Sequence, residues 1–181
     1  MNEQKYLELV SEVEAEFPDF SIKNKEESRL MKVCDFCLKL ITFWQMKTFM
    51  TEFFTTIGYT IYVPSKRWTE MDPPSKASLL RHERVHMRQR KKYGMVLFAF
   101  LFLFFPVPTI WAYYRKKFEQ EAYEESIRAW YEYYGLSYVQ HSKTRRYTIN
   151  HFTSAEYFWM WPWRGGLESW YDDLVAHLSS G

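Results

Sequence analysis

The pattern H-E-x-x-H at residues 82–86 limits how this chain can fold more than any other part of its sequence. On an α-helix, positions four apart lie about one turn apart on the same face, so His82 and His86 can bind one metal ion together. Glu83 then lies beside the metal, where its carboxylate can take a proton from a water molecule, as a general base does in a metallohydrolase. The motif therefore predicts a helix that faces a metal ion.

The sequence on both sides of the motif is typical of a helix. Leu79 and Leu80 form an apolar turn before it, Ser75 and Ser78 are candidate N-caps, and Gly94 is a candidate stop. We therefore expect the imidazoles to face inward and the basic side chains to face water. At roughly 100° per residue, the predicted inner side contains Leu79, His82, His86 and Gln89, and the outer side contains Arg81, Arg84, Arg88, Lys91 and Lys92.

A catalytic zinc ion needs a third protein ligand, and the histidines outside the motif have no spacing that selects one of them. Residues 115–130 form a strong helix pattern that contains two candidate acids, Glu119 and Glu121. Glu119 lies on the apolar stripe of this helix, whereas Glu121 shares the opposite side with Glu125 and Arg128. Because Glu119 faces the interior in this arrangement, we predict it as the third ligand.

The motif and the downstream segment Glu119-Gln120-Glu121-Ala122 together resemble the gluzincin metallopeptidases, in particular minimal members and the ImmA/IrrE and HtpX types. The similarity covers roughly residues 55 to 132. It implies a zincin-like fold, a Zn²⁺ cofactor and a polypeptide substrate, with the first glutamate of E-x-x-A as the third zinc ligand. Tyr123 stands where those groups usually have Asn or Asp.

A longer pattern, H-E-x-V-H-x-x-Q followed by F-E-x-E-A-Y, is also similar to short uncharacterised proteins of bacteria and bacteriophages. Four further side chains are candidates to support the site. Gln89 and Tyr123 are candidate hydrogen-bonding partners of the ligands, and His151 and Tyr157 are candidate donors to a transition state. No spacing rule selects these four.

The chain has 181 residues, 47% of them hydrophobic, which predicts a single domain with a sizeable core. We divide it into N-terminal helices (residues 1–54), a metal-binding core (55–132) and an aromatic-rich C-terminal segment (133–181). The fold class predicted is α+β, mostly helical and zincin-like, with a small β-sheet beside the metal-binding helix.

Individual elements follow from local patterns. Helices are expected at residues 3–17, at about 25–50, and from the Gly165-Gly166 pair to about Leu178. The second of these has apolar residues on most of its circumference, which predicts burial against several neighbours. Residues 55–63 read as a strand with a turn or bulge at Gly58, which serves either as scaffold or as an edge for an extended peptide. Residues 143–148 are expected to form a loop or a short strand.

Charge and cysteine content narrow the function. A net charge of +2 and a pI near 8.4 are not typical of nucleic-acid-binding proteins, so no direct nucleic-acid partner is expected. Cys34 and Cys37 form a lone C-x-x-C pair in a helical pattern, and we expect both to be buried apolar residues. The N-terminal residues match neither a secretion signal nor a lipidation motif, which indicates a cytoplasmic location.

An uncharged run begins at Met95, ends at Ala112 and is flanked by basic residues, so its length allows a transmembrane helix. A straight helix across these eighteen residues would place Glu119 about 27 Å from the histidines, although ligands of one ion must lie within about 2 Å of it. Pro106 and Pro108 divide the run. We therefore predict a buried hairpin and no membrane span, with an interfacial or re-entrant element and a true span as the alternatives.

The sequence supports two functions of different kinds. The first is a zinc metallopeptidase that cleaves a polypeptide with Glu83 as the general base. The second is a structural or adaptor protein, such as a component of a phage virion with protein partners in a larger assembly, in which zinc stabilises the fold without turnover. Five aromatic residues between Tyr157 and Trp163 are compatible with either, as a cover over the metal-binding helices or as a surface for a substrate or a partner.

Overall fold

The computed structural model describes residues 3–41, 43–45, 47–98, 110–154, 161 and 163–180. The chain forms two compact units, Met1–Lys76 and Ala77–Gly181. The described residues are mostly helical and include a small sheet, which confirms the predicted α+β class. The prediction of a single domain stays a prediction.

The first unit begins with α1 (Glu3–Glu16), close to the helix predicted at residues 3–17. The single helix predicted for residues 25–50 is wrong, because this segment contains a 3₁₀ turn (Lys25–Glu27), α2 (Arg29–Ile41) and α3 (Phe49–Glu52). Phe43 and Trp44 follow α2 with φ angles of 50° and 65°, a left-handed conformation that cannot continue a right-handed helix. The predicted burial of α2 on several sides is also wrong, because one of its faces is exposed.

The sheet contains β1 (Ser21–Asn24), β2 (Thr55–Ile57) and β3 (Thr60–Val63). β2 and β3 form an antiparallel hairpin where one strand with a turn or bulge was predicted, and Gly58 supplies the turn with a φ of 70°. β1 was not predicted and pairs in parallel with β3. Since β3 lies between the other two strands, its own edge is not open to an extended peptide.

α4 (Ser65–Glu70) and α5 (Pro73–Tyr93) follow the sheet along the chain. The second unit also contains α6 (Ile110–Tyr134), α7 (Leu136–Gln140), α8 (Ser142–Thr153) and α9 (Arg164–Ser180). α6 ends before Gly135, whose φ of 81° favours glycine. All four of these helices contribute to the core of this unit. Its buried side chains are Ile127, Val139, Ile149, Phe152, Leu167, Tyr171, Leu174 and Val175.

Two further sequence predictions are wrong. Residues 143–148 lie in α8 and form neither a loop nor a strand. Thr144 and Thr148 are buried on this helix, and the hydroxyl of Thr148 donates to the carbonyl of Thr144 at 3.2 Å, so a buried polar side chain is satisfied within the helix. The cysteines are not both buried either, because Cys34 is half-buried and Cys37 is exposed.

The uncharged run is described only in part. Residues 95–98 are helical, and Met95, Val96 and Leu97 are exposed, so this portion is not buried as predicted. Residues 110–112 belong to α6, whereas residues 99–109, on which the predicted hairpin depends, and most of the aromatic segment, including Tyr157, lie outside the described residues. Within the ranges that the structure describes, no helix combines the length and the apolar character needed to cross a bilayer.

Candidate metal centre

The histidines of the motif lie on α5, whose ends are well defined. The helix begins at Pro73, and the carboxylate of Asp72 accepts a hydrogen bond from the backbone N–H of Ser75 at 3.0 Å. Asp72 is therefore the cap, in place of Ser75 and Ser78, which lie within the helix. The end is as predicted: α5 stops at Tyr93, and Gly94 follows with a φ of 77°.

His82 and His86 lie one turn apart on α5 and point in the same direction. Their Nε2 atoms are 3.2 Å apart, and their ring centroids are 4.9 Å apart with the planes at 78°. On the predicted inner side His86 and Gln89 are buried, and Leu79 and His82 are half-buried. The predicted outer side is exposed at Arg88, Lys91 and Lys92 but half-buried at Arg81 and Arg84. The helix thus presents both imidazoles from one face.

Glu119 reaches the same point from α6. Its Oε2 atom lies 3.6 Å from Nε2 of His82 and 3.8 Å from Nε2 of His86. Each of the three side chains is only 10 to 13% exposed. Among the described residues, these three form the group of His, Cys, Asp and Glu side chains whose ligand atoms converge within 4.8 Å of one another.

The spacing of the three atoms can be compared with zinc geometry. Within the plane of the three atoms, the point equidistant from them lies about 2.1 Å from each, close to the length of a bond from zinc to nitrogen or oxygen. Ligands of a tetrahedral ion with such bonds are about 3.4 Å apart, so none of the three separations needs to change by more than about 0.4 Å. Two imidazoles and a carboxylate therefore fit a zinc ion in both chemistry and size.

Gln89 fixes the orientation of the His86 ring. Its amide nitrogen donates to the carbonyl of Phe118 at 3.1 Å and to the carboxylate of Glu121 at 2.8 Å. The other end of the amide is therefore the oxygen, which lies 2.9 Å from Nδ1 of His86 and accepts its proton. A neutral His86 then has the lone pair of Nε2 directed at the site, as a metal ligand requires.

His82 has a corresponding partner on α6. Its Nδ1 atom lies 3.3 Å from the hydroxyl of Ser126, which is buried. The ring of Tyr123 packs edge to face on His82 with the centroids 4.8 Å apart. The N-terminal neighbour of His82 also binds α6, because the guanidinium of Arg81 forms two hydrogen bonds with Glu132 at 2.9 and 2.7 Å. These contacts fix the position of α5 against α6 at the level of the metal ligands.

The charges of the site stabilise one another. Burial disfavours the protonated ring of His86, but the carboxylate of Glu119, together with Glu83 and Gln89, outweighs burial and raises the pKa of His86 to about 9. Burial likewise disfavours the charged form of Glu119, yet the positive charge of His86 and the hydrogen bonds from the imidazoles hold the pKa of Glu119 well below its usual range. The site is therefore an environment that favours a positive charge next to the carboxylate.

Glu83 is buried at 9% exposure, and its negative charge helps to raise the pKa of His86. It is thus close to the imidazoles without joining the converging ligand atoms. A carboxylate beside the ligand set, and not within it, has the placement expected of a general base. The prediction for Glu83 is consistent with this position.

The remaining predicted residues lie at different distances from the centre. Gln89 bonds directly to a ligand, and Tyr123 contacts one through its ring. His151 is one ring farther out, with its centroid 5.5 Å from that of Tyr123 and its Nδ1 atom donating to the carbonyl of Tyr147 at 2.8 Å. Through this ring contact with Tyr123, His151 is connected to the ligand set, and Tyr157 lies outside the described residues.

Sequence reasoning missed two residues of this network. Ser126 follows Glu119 by two helical turns, so its place on the same stripe of α6 was a signal that was available. Glu121 lies outside the converging ligand atoms, but its carboxylate bonds to Gln89 of α5, a contact that depends on the packing of α6 against α5. No periodicity within a single helix predicts that contact.

Comparison of the chain with protein-family models, with curated proteins and with solved structures found no match. Inference about function therefore depends on the motif and on the geometry of its side chains.

Proposed function

We propose that this protein is a zinc-dependent metallopeptidase that hydrolyses peptide bonds. The observation that carries the proposal is the convergence of His82, His86 and Glu119 from two helices on a point that matches zinc bond lengths. Three protein ligands leave one position of a tetrahedral ion open, which is the composition of a catalytic site, whereas structural zinc sites usually have four. The order of the histidine pair and the later glutamate agrees with the gluzincin resemblance.

The side chains of the site have distinct roles in this proposal. Zinc, when bound, supplies a Lewis acid that polarises a carbonyl group and makes water more acidic. Glu83 accepts a proton from the water that attacks the peptide carbonyl and then donates it to the leaving amine. Gln89 and Ser126 orient His86 and His82 through their Nδ1 atoms, so that both Nε2 atoms face the metal.

The first test measures the metal. Protein purified without chelators is expected to contain about one zinc ion per chain by elemental analysis, because the donor set and its spacing suit zinc. His82→Ala or His86→Ala should empty the site. His177→Ala is the matched control, since His177 is exposed on α9 and should leave the zinc content unchanged. Wild-type protein without a transition metal would overturn the proposal at its first step.

The second test separates catalysis from folding. Glu83→Gln keeps the size of the side chain and removes the base, so it should bind zinc normally and lower the rate of peptide cleavage by about 10²- to 10⁴-fold. Glu125→Gln is the matched control, because Glu125 lies on α6 in a partly exposed pair with Arg128 at 3.6 Å. Cleavage would be measured with a broad library of unstructured peptides.

The same library distinguishes the alternative function. A zinc-stabilised adaptor of a virion or another assembly would bind zinc, cleave no peptide and assemble normally as Glu83→Gln. That combination of results would exclude the peptidase and leave zinc with a structural role.

A further inference from the structure

The outer face of α2 is apolar and exposed. Four large apolar side chains recur at three- and four-residue steps along this helix and share one side of it. Their exposed fractions are high: Leu30 47%, Val33 59%, Phe36 56% and Leu40 50%. The opposite side contains Met31, which is fully buried in the first unit. α2 thus buries one apolar face and leaves a second one open.

The segment that follows α2 adds two aromatic rings to this surface. Phe43 is 88% exposed and Trp44 is 51% exposed. Both have a left-handed backbone, which is costly for bulky residues. Hydrogen bonds from their N–H groups to the carbonyls of Leu40 and Lys39, at 3.2 and 2.6 Å, hold this turn closed. The fold therefore places two rings at the surface at the end of α2.

The charges along α2 and the segment that follows it are mainly positive. From residue 29 to residue 47 the chain has four basic side chains and one acid, Asp35, which gives a net charge of +3. Asp35 is paired with Lys39 at 2.6 Å, and the other three basic residues, Arg29, Lys32 and Lys47, are exposed. The contrast with α1 is clear, because α1 has five glutamates and one lysine.

We propose that the outer face of α2, with Phe43 and Trp44, binds the surface of an anionic lipid bilayer, with the helix in the plane of the interface. An exposed apolar stripe with Leu, Phe and Trp, bordered by lysine and arginine, is the pattern of helices that lie on membranes. Trp at the end of such a helix has an apolar body and a polar N–H that suit the headgroup region. This proposal does not depend on the metal centre.

A second copy of the chain is the less favourable occupant of this surface. A symmetric dimer through α2 would bring the same basic residues, Arg29 and Lys32, towards their own counterparts, and like charges at an interface oppose association. Anionic headgroups instead attract these residues while the acyl region accepts the apolar side chains. Charge complementarity therefore selects the bilayer.

The test is co-sedimentation of the full chain with vesicles of phosphatidylcholine that contain about one third phosphatidylserine, and with vesicles of phosphatidylcholine alone. Binding is expected only to the anionic vesicles, and it should weaken with salt. The double variant Phe36→Gln/Leu40→Gln should lower partitioning at least about tenfold, because two apolar side chains that would enter the bilayer are replaced by polar ones. Lys32→Glu should lower it about fivefold or more.

Leu7→Gln is the matched control. Leu7 is 54% exposed in the same unit but lies on the acidic α1, so its replacement should leave partitioning unchanged. Equal binding to both vesicle types, or no binding to either, would overturn the proposal. So would a dimer that the double variant dissociates, or a large fall in the melting temperature of the double variant, since either result assigns the face to protein contacts.

Discussion

Both units bury a side chain that can carry a positive charge, but their surroundings displace the two pKa values in opposite directions. In the first unit Lys25 is fully buried, and burial lowers its pKa to about 8. In the second unit burial acts on His86 in the same direction, yet the carboxylate of Glu119, with smaller contributions from Glu83 and Gln89, outweighs it and raises the pKa to about 9. The anion beside the buried cation makes the difference.

The partners of Lys25 are mostly neutral. Its ammonium group donates to the backbone carbonyl of Phe49 at 2.8 Å and lies 3.6 Å from the centroid of the Phe49 ring. The charge of Asp35 favours the protonated lysine, but this effect is smaller than that of burial. Lys25 therefore packs in the interior of its unit and donates to a neutral carbonyl there. The second unit instead contains a site whose geometry and charge suit an added cation.

The largest effect is expected when the anion of that site is removed. Glu119→Gln should weaken zinc binding by about 100-fold or more, since each ligand of a zinc site contributes several kcal/mol. Glu121→Gln is the control two positions along α6, and it should weaken zinc binding no more than about tenfold, because Glu121 contacts the site only through Gln89. Zinc affinity would be measured by competition with a chromophoric chelator, and equal losses in the two variants would contradict the assigned orientation of α6.

The next effect follows from the pKa of His86. Protons compete with zinc for Nε2, so the apparent zinc affinity should rise about tenfold per pH unit up to pH 9, or about 100-fold from pH 6 to pH 8. In metal-free protein the effect on stability is opposite, because the contribution of His86 to the stability of the fold falls as the pH rises. A histidine with a raised pKa stabilises the fold fully below pH 6.5, and this contribution is lost as the pH rises through about 9. An affinity that levels off near pH 7 would contradict the predicted pairing with Glu119.

A smaller effect is expected at the orienting amide. Gln89→Leu leaves Nδ1 of His86 without its acceptor, and loss of such a partner typically lowers metal affinity by about 10- to 100-fold. The lower end applies here, since the ring is also held by packing within the buried site. Gln140→Leu, at an exposed position at the end of α7, is the matched control. Unchanged affinity for Gln89→Leu would show that other contacts orient the ring.

The metal ligands were accessible to sequence reasoning because they depend on one helix at a time. The spacing of His82 and His86 and the stripe position of Glu119 are properties of helical periodicity, and the structure brings all three together. The bonds of Ser126 and Glu121 cross between α5 and α6. They depend on how far one helix is rotated and shifted against the other, which a single sequence does not specify.

The same distinction applies to the fold. The stop signal at Gly94 was local and correct, since Gly94 has a positive φ. α8 was missed because two of its buried positions are the polar Thr144 and Thr148, which conceal the apolar period. The sequence at the break after α2 contains no glycine or proline that would predict the end of a helix. There Phe43 and Trp44 adopt a conformation that local propensity disfavours.

The last prediction tests the other side of the comparison, the buried lysine without a strong anionic partner. Because the pKa of Lys25 is lower in the folded chain than in the unfolded chain, the unfolded chain binds more protons between about pH 8 and pH 10.5. Stability should therefore rise with pH across this window. Lys25→Met removes the titrating group and keeps most of the apolar stem, so the variant should lack this rise, and the difference in stability between wild type and variant should change with pH across the window.

At pH 7 the effect of Lys25→Met should be small. The variant removes a buried charge, which stabilises the fold, and leaves the carbonyl of Phe49 without its donor, which costs a similar amount, so the free energy of unfolding should change by about 1 kcal/mol or less. Lys25→Ala is the matched control for packing and should lose about 2 to 3 kcal/mol through the cavity it leaves. Urea unfolding at several pH values measures both variants. If Lys25→Met unfolds with the same pH dependence as wild type, another group titrates in this window, and the contrast between a structural buried cation and a cation-binding site no longer rests on Lys25.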